Sequence, residues 1–253
     1  MAIHTVDLLY YLDGLLTPGQ FKDYAPNGLQ VEGKLTVSHL VAGVTASQAL
    51  VDAAIECKGD ALLVHHGYFW RNESSPLVGI KKNRIKALLA HDINLIAYHL
   101  PLDCHGQLGN NAQLGQLMGW RSDAHMQSSG ITGLGLCATL QQPCSGSEIQ
   151  QQLSHMLGRE ALHIDAPGAV IKRIGWCTGG AQGMIEQAVE LGLDAYVSGE
   201  ISESTVHIAR ENGIHYFAAG HHATERYGAK ALAAHLQQEL DITCEFVDID
   251  SPA

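Results

Sequence analysis

The chain has 253 residues, 46% apolar and 16% charged, which is the composition of a globular protein and not of a disordered one. Fifteen Lys and Arg against 26 Asp and Glu give a formal charge of −11, the opposite of the balance with which proteins grip nucleic-acid phosphates. No stretch approaches the ~20 apolar residues that span a bilayer, and the six cysteines form no C-x-x-C. A membrane span, a disulfide framework and a cysteine zinc site are therefore disfavoured.

The first element, MAIHTVDLLYYLDGLL, has apolar residues at helical spacing interrupted by Asp7 and Asp13. It lacks the basic start and unbroken apolar run of a signal peptide, so a cytoplasmic protein with free thiols is expected. Next comes VAGVTASQALVDAAIECKGDALLVHHG (41–67), which reads as a strand, a small-residue turn, a helix and a second strand. Such a β-α-β unit normally holds its two strands parallel with a right-handed crossover. It ends on two adjacent histidines. A strand sends successive side chains to opposite faces, so His65 and His66 act together only if the strand stops and the chain turns, which Gly67 permits. The densest basic stretch, KKNRIK (81–86), reads as a solvated helix face. The helix NRIKALLAHD then leads to the strand INLIAYH and to HLPLD (99–103).

Residues 106–170 carry a weaker pattern: ITGLGLCATL reads as a strand, and SEIQQQLSHML as a helix with Ser147 as its N-cap. Then IGWCTGGAQGMIEQAVELGLDAYVSGE (174–200) repeats the first unit. With one inserted residue near Gly179, Thr45 falls on Thr178, Gln48 on Gln182, Ala54 on Ala188, Glu56 on Glu190, and Asp60-Ala61 on Asp194-Ala195. A further helix, STVHIARENG, and strand, GIHYFAAGH, complete the match. The order of elements predicts an α/β fold of two related lobes, duplicated β-α-β units with mainly parallel sheets and flanking helices, facing a shared cleft. The boundary is expected near 120–130, giving lobes 1–125 and 126–253, with a C-terminal segment free to pack back on the first.

The repeat sets HHG opposite SGE (198–200), with His66 opposite Glu200, while HLPLD and GHHATE (220–225) end the third strands. Ligands of parallel α/β sheets collect at the carboxyl ends of strands. Imidazoles and carboxylates there suit zinc, manganese or iron. His221 and Glu225, four apart, share one face of a helical turn. Asp103 follows Pro101 in what reads as a loop able to swing back. His65, His66, Asp103, His221 and Glu225 together exceed what one tetrahedral ion needs. They point to two divalent ions per chain bridged by a carboxylate, roughly 3.5–4 Å apart, a common hydrolytic arrangement. His99, His105 and His222 are expected beside these ligands as orienting partners. His4, His39, His91, His155, His163 and His235 read as surface or packing residues. TGGAQ (178–182) could hold a phosphate on its amides or simply allow close helix packing, and no glycine-rich phosphate loop with a lysine is present.

DYAPNGLQVEG (23–33), VTASQ, VHHGYFW (64–70), HLPLD, LGNN (108–111), CTGGAQ, VSGE and AAGHHATE (218–225) resemble the NIF-three-like dinuclear-metal family. These are the homologues of type 2 GTP cyclohydrolase, and the match is to their bacterial YbgI-type branch. The resemblance covers nearly the whole chain and is weakest across 120–170. It implies two α/β lobes around a dinuclear centre, a toroidal homohexamer, and metal ligands at His65, His66, Asp103, His221 and Glu225, all present here. It also implies opening of the guanine ring of GTP by metal-activated water; by position alone, Glu200 or His99 could shuttle protons. The expected protein is thus a metal-dependent hydrolase of a nucleotide. A metallohydrolase of peptides or phosphoesters, or a ring-shaped metal-binding scaffold linked to DNA damage protection, stand as alternatives.

Overall fold

The computed structural model describes residues 2–128 and 131–253. They form two compact units, one of residues up to Gly109 with Gly228–Ile249, the other of Asn110–Tyr227 with Asp250–Ala253. In chain order the first unit runs β1 (Ile3–His4), α1 (Thr5–Leu16), β2 (Gly28–Val31), β3 (Thr36–Val37), β4 (His39–Thr45), α2 (Gln48–Glu56), β5 (Ala61–His66), α3 (Gly79–Ala90), β6 (Asn94–Ala97) and α4 (Leu100–Cys104). The second follows with α5 (Asn110–Met118), β7 (Ala124–Ser128), β8 (Ile131–Cys144), α6 (Gly146–Leu157), β9 (Leu162–Ile164), β10 (Ile171–Trp176), α7 (Ile185–Glu190), β11 (Ala195–Ser198), α8 (Glu203–Asn212) and β12 (His215–Ala218). The helix α9 (His221–Leu240) begins in the second unit and ends in the first, where β13 (Thr243–Phe246) completes the sheet.

The sheet of the first unit has the order β13-β4-β5-β6-β2, parallel except for β2. Its strands are apolar on both faces because helices cover both. Leu40, Ala42 and Leu63 face a core with Leu8 and Leu12 of α1 and Leu232 and Leu236 of α9. The alternate residues Val41, Leu62 and Val64 face Leu50 and Val51 of α2 and Leu88 of α3. In α3, Ile85 and Leu88 point inward while Lys82 and Lys86 are exposed, so the basic stretch is a solvated helix face.

The second unit's sheet runs β7-β8-β10-β11-β12-β9. Only β10, β11 and β12 are parallel; β7, β8 and β9 add antiparallel neighbours at the two edges. The expectation of mainly parallel sheets fits the first unit's sheet closely, while in the second the parallel pairing is confined to these three central strands. The 106–170 region supplies the three antiparallel strands, and an antiparallel neighbour needs no crossover helix to announce it in the sequence. Trp176, Val197 and Phe217 face one core, and Tyr196 and Tyr216 the other.

The duplication is visible atom by atom. Asp60 Oδ2 accepts the amides of Ser38 and His39 at 2.8 and 3.0 Å, at the start of β4. Asp194 Oδ2 accepts those of Lys172 and Arg173 at 2.9 and 2.8 Å, at the start of β10. Each aspartate thus ties the second strand of a β-α-β unit to the first. Burial pushes the Asp60 carboxyl up, but the Lys34 ammonium and the amide donors outweigh it and hold the group at about 2. A carboxylate so depressed stabilises the fold above its unfolded-state range near 4, and that contribution is lost as pH falls through about 2. Asp60→Asn is expected to cost roughly 2 kcal/mol at pH 7 in denaturant unfolding. The gap from the parent should close below pH 3; a gap constant with pH would show that charge is not its origin.

Two local expectations are corrected. The N-cap of α6 is Ser145 and not Ser147: Ser145 Oγ accepts the Glu148 amide while Glu148 reaches back to the Ser145 amide at 2.7 Å, a reciprocal pair that Ser147 lacks the spacing to form. Asp103 lies in the short helix α4 and not in a loop, since Pro101 fits a first helical turn where its missing N–H costs nothing.

Candidate metal centre

In the first unit β5 stops at His66, and the rings of His65 and His66 lie 4.4 Å apart between centroids, with His99 at 5.1 and 5.6 Å from them. Gly67 helps differently than expected. It is absent from the residues with positive φ; a side chain there would instead collide with Gln30 Oε1 and come within 2.8 Å of the Ala97 Cβ.

All three imidazoles are engaged through Nδ1. His65 Nδ1 lies 3.1 Å from the Tyr98 carbonyl, which can only accept, so the proton sits on Nδ1 and the lone pair on Nε2. That Nε2 is 3.4 Å from Asp103 Oδ1. His66 Nδ1 is 3.2 Å from Thr45 Oγ1, its direct cross-strand neighbour. His99 Nδ1 is 2.7 Å from Asp23 Oδ1, and Asp23 also accepts from the Leu100 amide and from Asn27 Nδ2 at 3.0 Å each. Burial raises the Asp23 carboxyl, but the bonds from His99, Asn27 and Leu100 prevail and hold it at about 2, so it is a carboxylate at neutral pH. A carbonyl or a carboxylate on the far ring nitrogen, as at His65 and His99, is a usual outer partner of a metal-ligating histidine. One nitrogen from each of His65, His66 and His99 lies within 4.8 Å of the others, a group that could hold a metal ion.

In the second unit α9 opens at His221 directly after β12. His221 Nε2 lies 3.1 Å from Glu225 Oε2, one turn on, and Nδ1 lies 2.7 Å from Glu200 Oε1. The bond with Glu225 raises the His221 pKa, burial opposes it, and Glu200 adds to the rise, giving about 9. Glu225 is buried and Glu200 is exposed. The TGGAQ turn explains how they fit. Gly179 has φ +67°, and a Cβ there would overlap Glu225 Oε1 and lie 3.3 Å from His221 Nε2. Its glycines make room for a carboxylate–imidazole set, which accounts for the motif without a phosphate.

The first unit thus places His65, His66, His99 and Asp103 together, and the second places Glu200, His221 and Glu225 together. His105 does something else: its Nδ1 accepts the amides of Gln107 and Leu108 at 3.3 and 3.0 Å and shapes a turn. The amide of His222 donates to the Ala253 carbonyl at 3.2 Å. Asp23, Thr45 and Gly179 carried no role in the sequence reading, although all three lie inside its quoted motifs. Asp23 stands 76 residues from His99, so nothing local marks the pair.

Residues 3–252 match the model of the Duf34/NIF3 (NGG1p interacting factor 3) family. Among curated proteins, the chain is 52% identical over 256 residues to the GTP cyclohydrolase 1 type 2 homolog of Vibrio cholerae, covering 99% of this chain and all of the relative. It is 50% identical over 252 residues to the protein of the same name from Yersinia pestis, with 99% and 100% covered. Among solved structures it is similar to the protein ybgI, described as of unknown function, with a TM-score of 0.95 at 47% identity over 99% of this chain and all of the other.

Proposed function

The chain belongs to the Duf34/NIF3 family, and from that premise we propose that it is a dinuclear metal-dependent hydrolase of a nucleotide, with ring opening of GTP as the specific reaction. The proposed ligands of two divalent ions, zinc, manganese or iron, are His65, His66, Asp103, His221 and Glu225. The observation that carries the reading is the set of three histidines held through Nδ1; the acceptors facing His65 and His99 put the proton on Nδ1 and leave Nε2 open before any ion arrives. When bound, such ions bring the pKa of water toward neutrality. The chain's own residues then have distinct tasks. His99, with Asp23 holding its Nδ1 proton, can take and return a proton at Nε2. Glu200, exposed and bonded to His221, can pass one to solvent. The relatives' shared name supports GTP as substrate. The test is a screen of metal-reconstituted protein against GTP, other nucleotides, dipeptides and phosphate monoesters. GTP turnover above the others is expected, and turnover confined to peptides or monoesters would reassign the substrate.

Two further parts of the reading concern the protein's setting. All six cysteines are free and, among the described residues, no helix is long and apolar enough to cross a membrane, which supports a cytoplasmic protein. A closed homo-oligomer, with six chains favoured, is supported by apolar side chains left at the surface: Val6 and Tyr10 on one face of α1, and Leu35 before β3. Light scattering at micromolar concentration should give about six chain masses, and a monomer would contradict it.

A further inference from the structure

We infer that His163, Asp165 and His215 form a separate divalent-ion site in the second unit, with zinc as the fitting ion. The sequence places His163 among surface or packing residues, and the fold gives it more specific surroundings. The edge strand β9 pairs antiparallel with β12, with His163 opposite Phe217. Residues two apart on a strand share a face, so His215 lies diagonally beside His163 on that face. The imidazole of His163 is stacked on Phe217 at 4.5 Å and 13°, which fixes its plane.

The three donor atoms form a small triangle. His163 Nε2 is 3.0 Å from His215 Nδ1, and Asp165 Oδ1 is 3.4 Å from His215 Nδ1 and 3.8 Å from His163 Nε2. Donors at the ~2.0–2.2 Å of zinc–imidazole and zinc–carboxylate bonds stand roughly 3.3 Å apart in a tetrahedron. The triangle is close to one face of that figure, and two imidazoles with a carboxylate are a donor set zinc accepts.

The tautomer of His215 is already the required one. Its Nε2 is 3.2 Å from the Ala169 carbonyl, which can only accept, so the proton is on Nε2 and the lone pair on Nδ1 faces the triangle. A carbonyl on the far nitrogen is the support that ligating histidines have. The space beside the donors is kept by Gly146, the first residue of α6: a Cβ there would lie 2.7 Å from both His163 Nε2 and His215 Nδ1. His215 is buried while Asp165 is 61% exposed on its side chain, so an ion can enter from the aspartate side. Without an ion, His163 Nε2–H and the Ala166 amide, at 3.2 Å, both donate to His215 Nδ1. Ligation moves the His163 proton to its Nδ1 and displaces the Ala166 amide, so no proton leaves the protein.

The test uses the full chain carrying His66→Ala and Glu225→Ala, which removes the paired centre from the count. After stripping and dialysis against micromolar zinc, one equivalent per chain is expected to remain. Asp165→Asn in that background should weaken it about tenfold or more, judged by the losses that even outer partners cause. Gly146→Ala should abolish it. Because Asp165 is exposed, its variant will fold, and circular dichroism will verify this. Cobalt in place of zinc should give the visible bands of a four-coordinate ion, weakened in Asp165→Asn and lost in Gly146→Ala. No zinc in the background protein, or equal zinc in all three, would overturn the assignment and leave these residues as a hydrogen-bonded packing cluster.

Discussion

Replacing Glu225 with Gln is expected to weaken binding of an ion at least 10- to 100-fold, the scale seen when merely an outer partner of a ligand is lost. Nucleotide turnover should fall in step. Gln keeps the size and packing of a buried side chain and removes its charge, so the fold and the oligomer should survive. A second readout needs no activity. In protein stripped of divalent ions, the His221 pKa stands at about 9, with the Glu225 bond as its largest cause. Protonated His221 therefore adds stability that is complete below its unfolded range near 6.5 and is lost as pH rises through about 9. In Glu225→Gln the His221 pKa, followed by NMR, should drop toward its ordinary range and that alkaline loss of stability should shrink. Unchanged titration would mean that the 3.1 Å contact does not bear on His221. Unchanged turnover with the ion gone would make the metal structural.

The second large effect concerns the core beneath the site. Trp176 is fully buried at the end of β10, its Nε1–H donates to the Asn111 carbonyl at 2.9 Å, and its ring packs against Trp120 at 5.2 Å. Gly115 lets α5 approach, since a Cβ there would come within 2.8 Å of the indole. Trp176→Ala removes this packing, leaves a cavity and orphans a buried carbonyl, a loss of about 3–5 kcal/mol. Against a domain stability of ~5–15 kcal/mol, that lowers the melting temperature of the second unit by roughly 10–20 °C. The Asn111 side chain also accepts the Thr178 amide at 2.8 Å, one residue before Gly179, so the same change should loosen the turn that seats Glu225. Trp176→Phe should recover most of the stability. Calorimetry showing a shift under about 1 kcal/mol would contradict the packing argument.

What could be read ahead of the structure follows from how local each signal is. The β-α-β repeats were legible because short unbroken apolar runs alternate with helical spacing, and because Asp60 and Asp194 sit at the same step of each copy, where each is found to bond the two equivalent amides of its first strand. The i,i+4 placement of His221 and Glu225 was likewise local. The α6 cap was misplaced by two residues because both serines suit a cap, and only the reach of Glu148 decides between them. Of the antiparallel strands, β8 was legible in ITGLGLCATL, whereas β7 and β9 left little trace, and partners that meet only in three dimensions left none. Asp23 reaches His99 across 76 residues, and His163 meets His215 across 52. His99, read by position as an orienting partner or proton shuttle, also lies with His65 and His66 in one group that could hold a metal ion.

The most direct test is a metal titration of the stripped protein, following GTP turnover and bound metal together in the parent and in His66→Ala. The account predicts no turnover without metal, a rise that saturates near two equivalents per chain at the paired centre, and in His66→Ala the loss of turnover and of metal bound at that centre, the separate His163 site aside. Binding of both ions with no turnover of any nucleotide, or turnover that persists in a chelator, would contradict it.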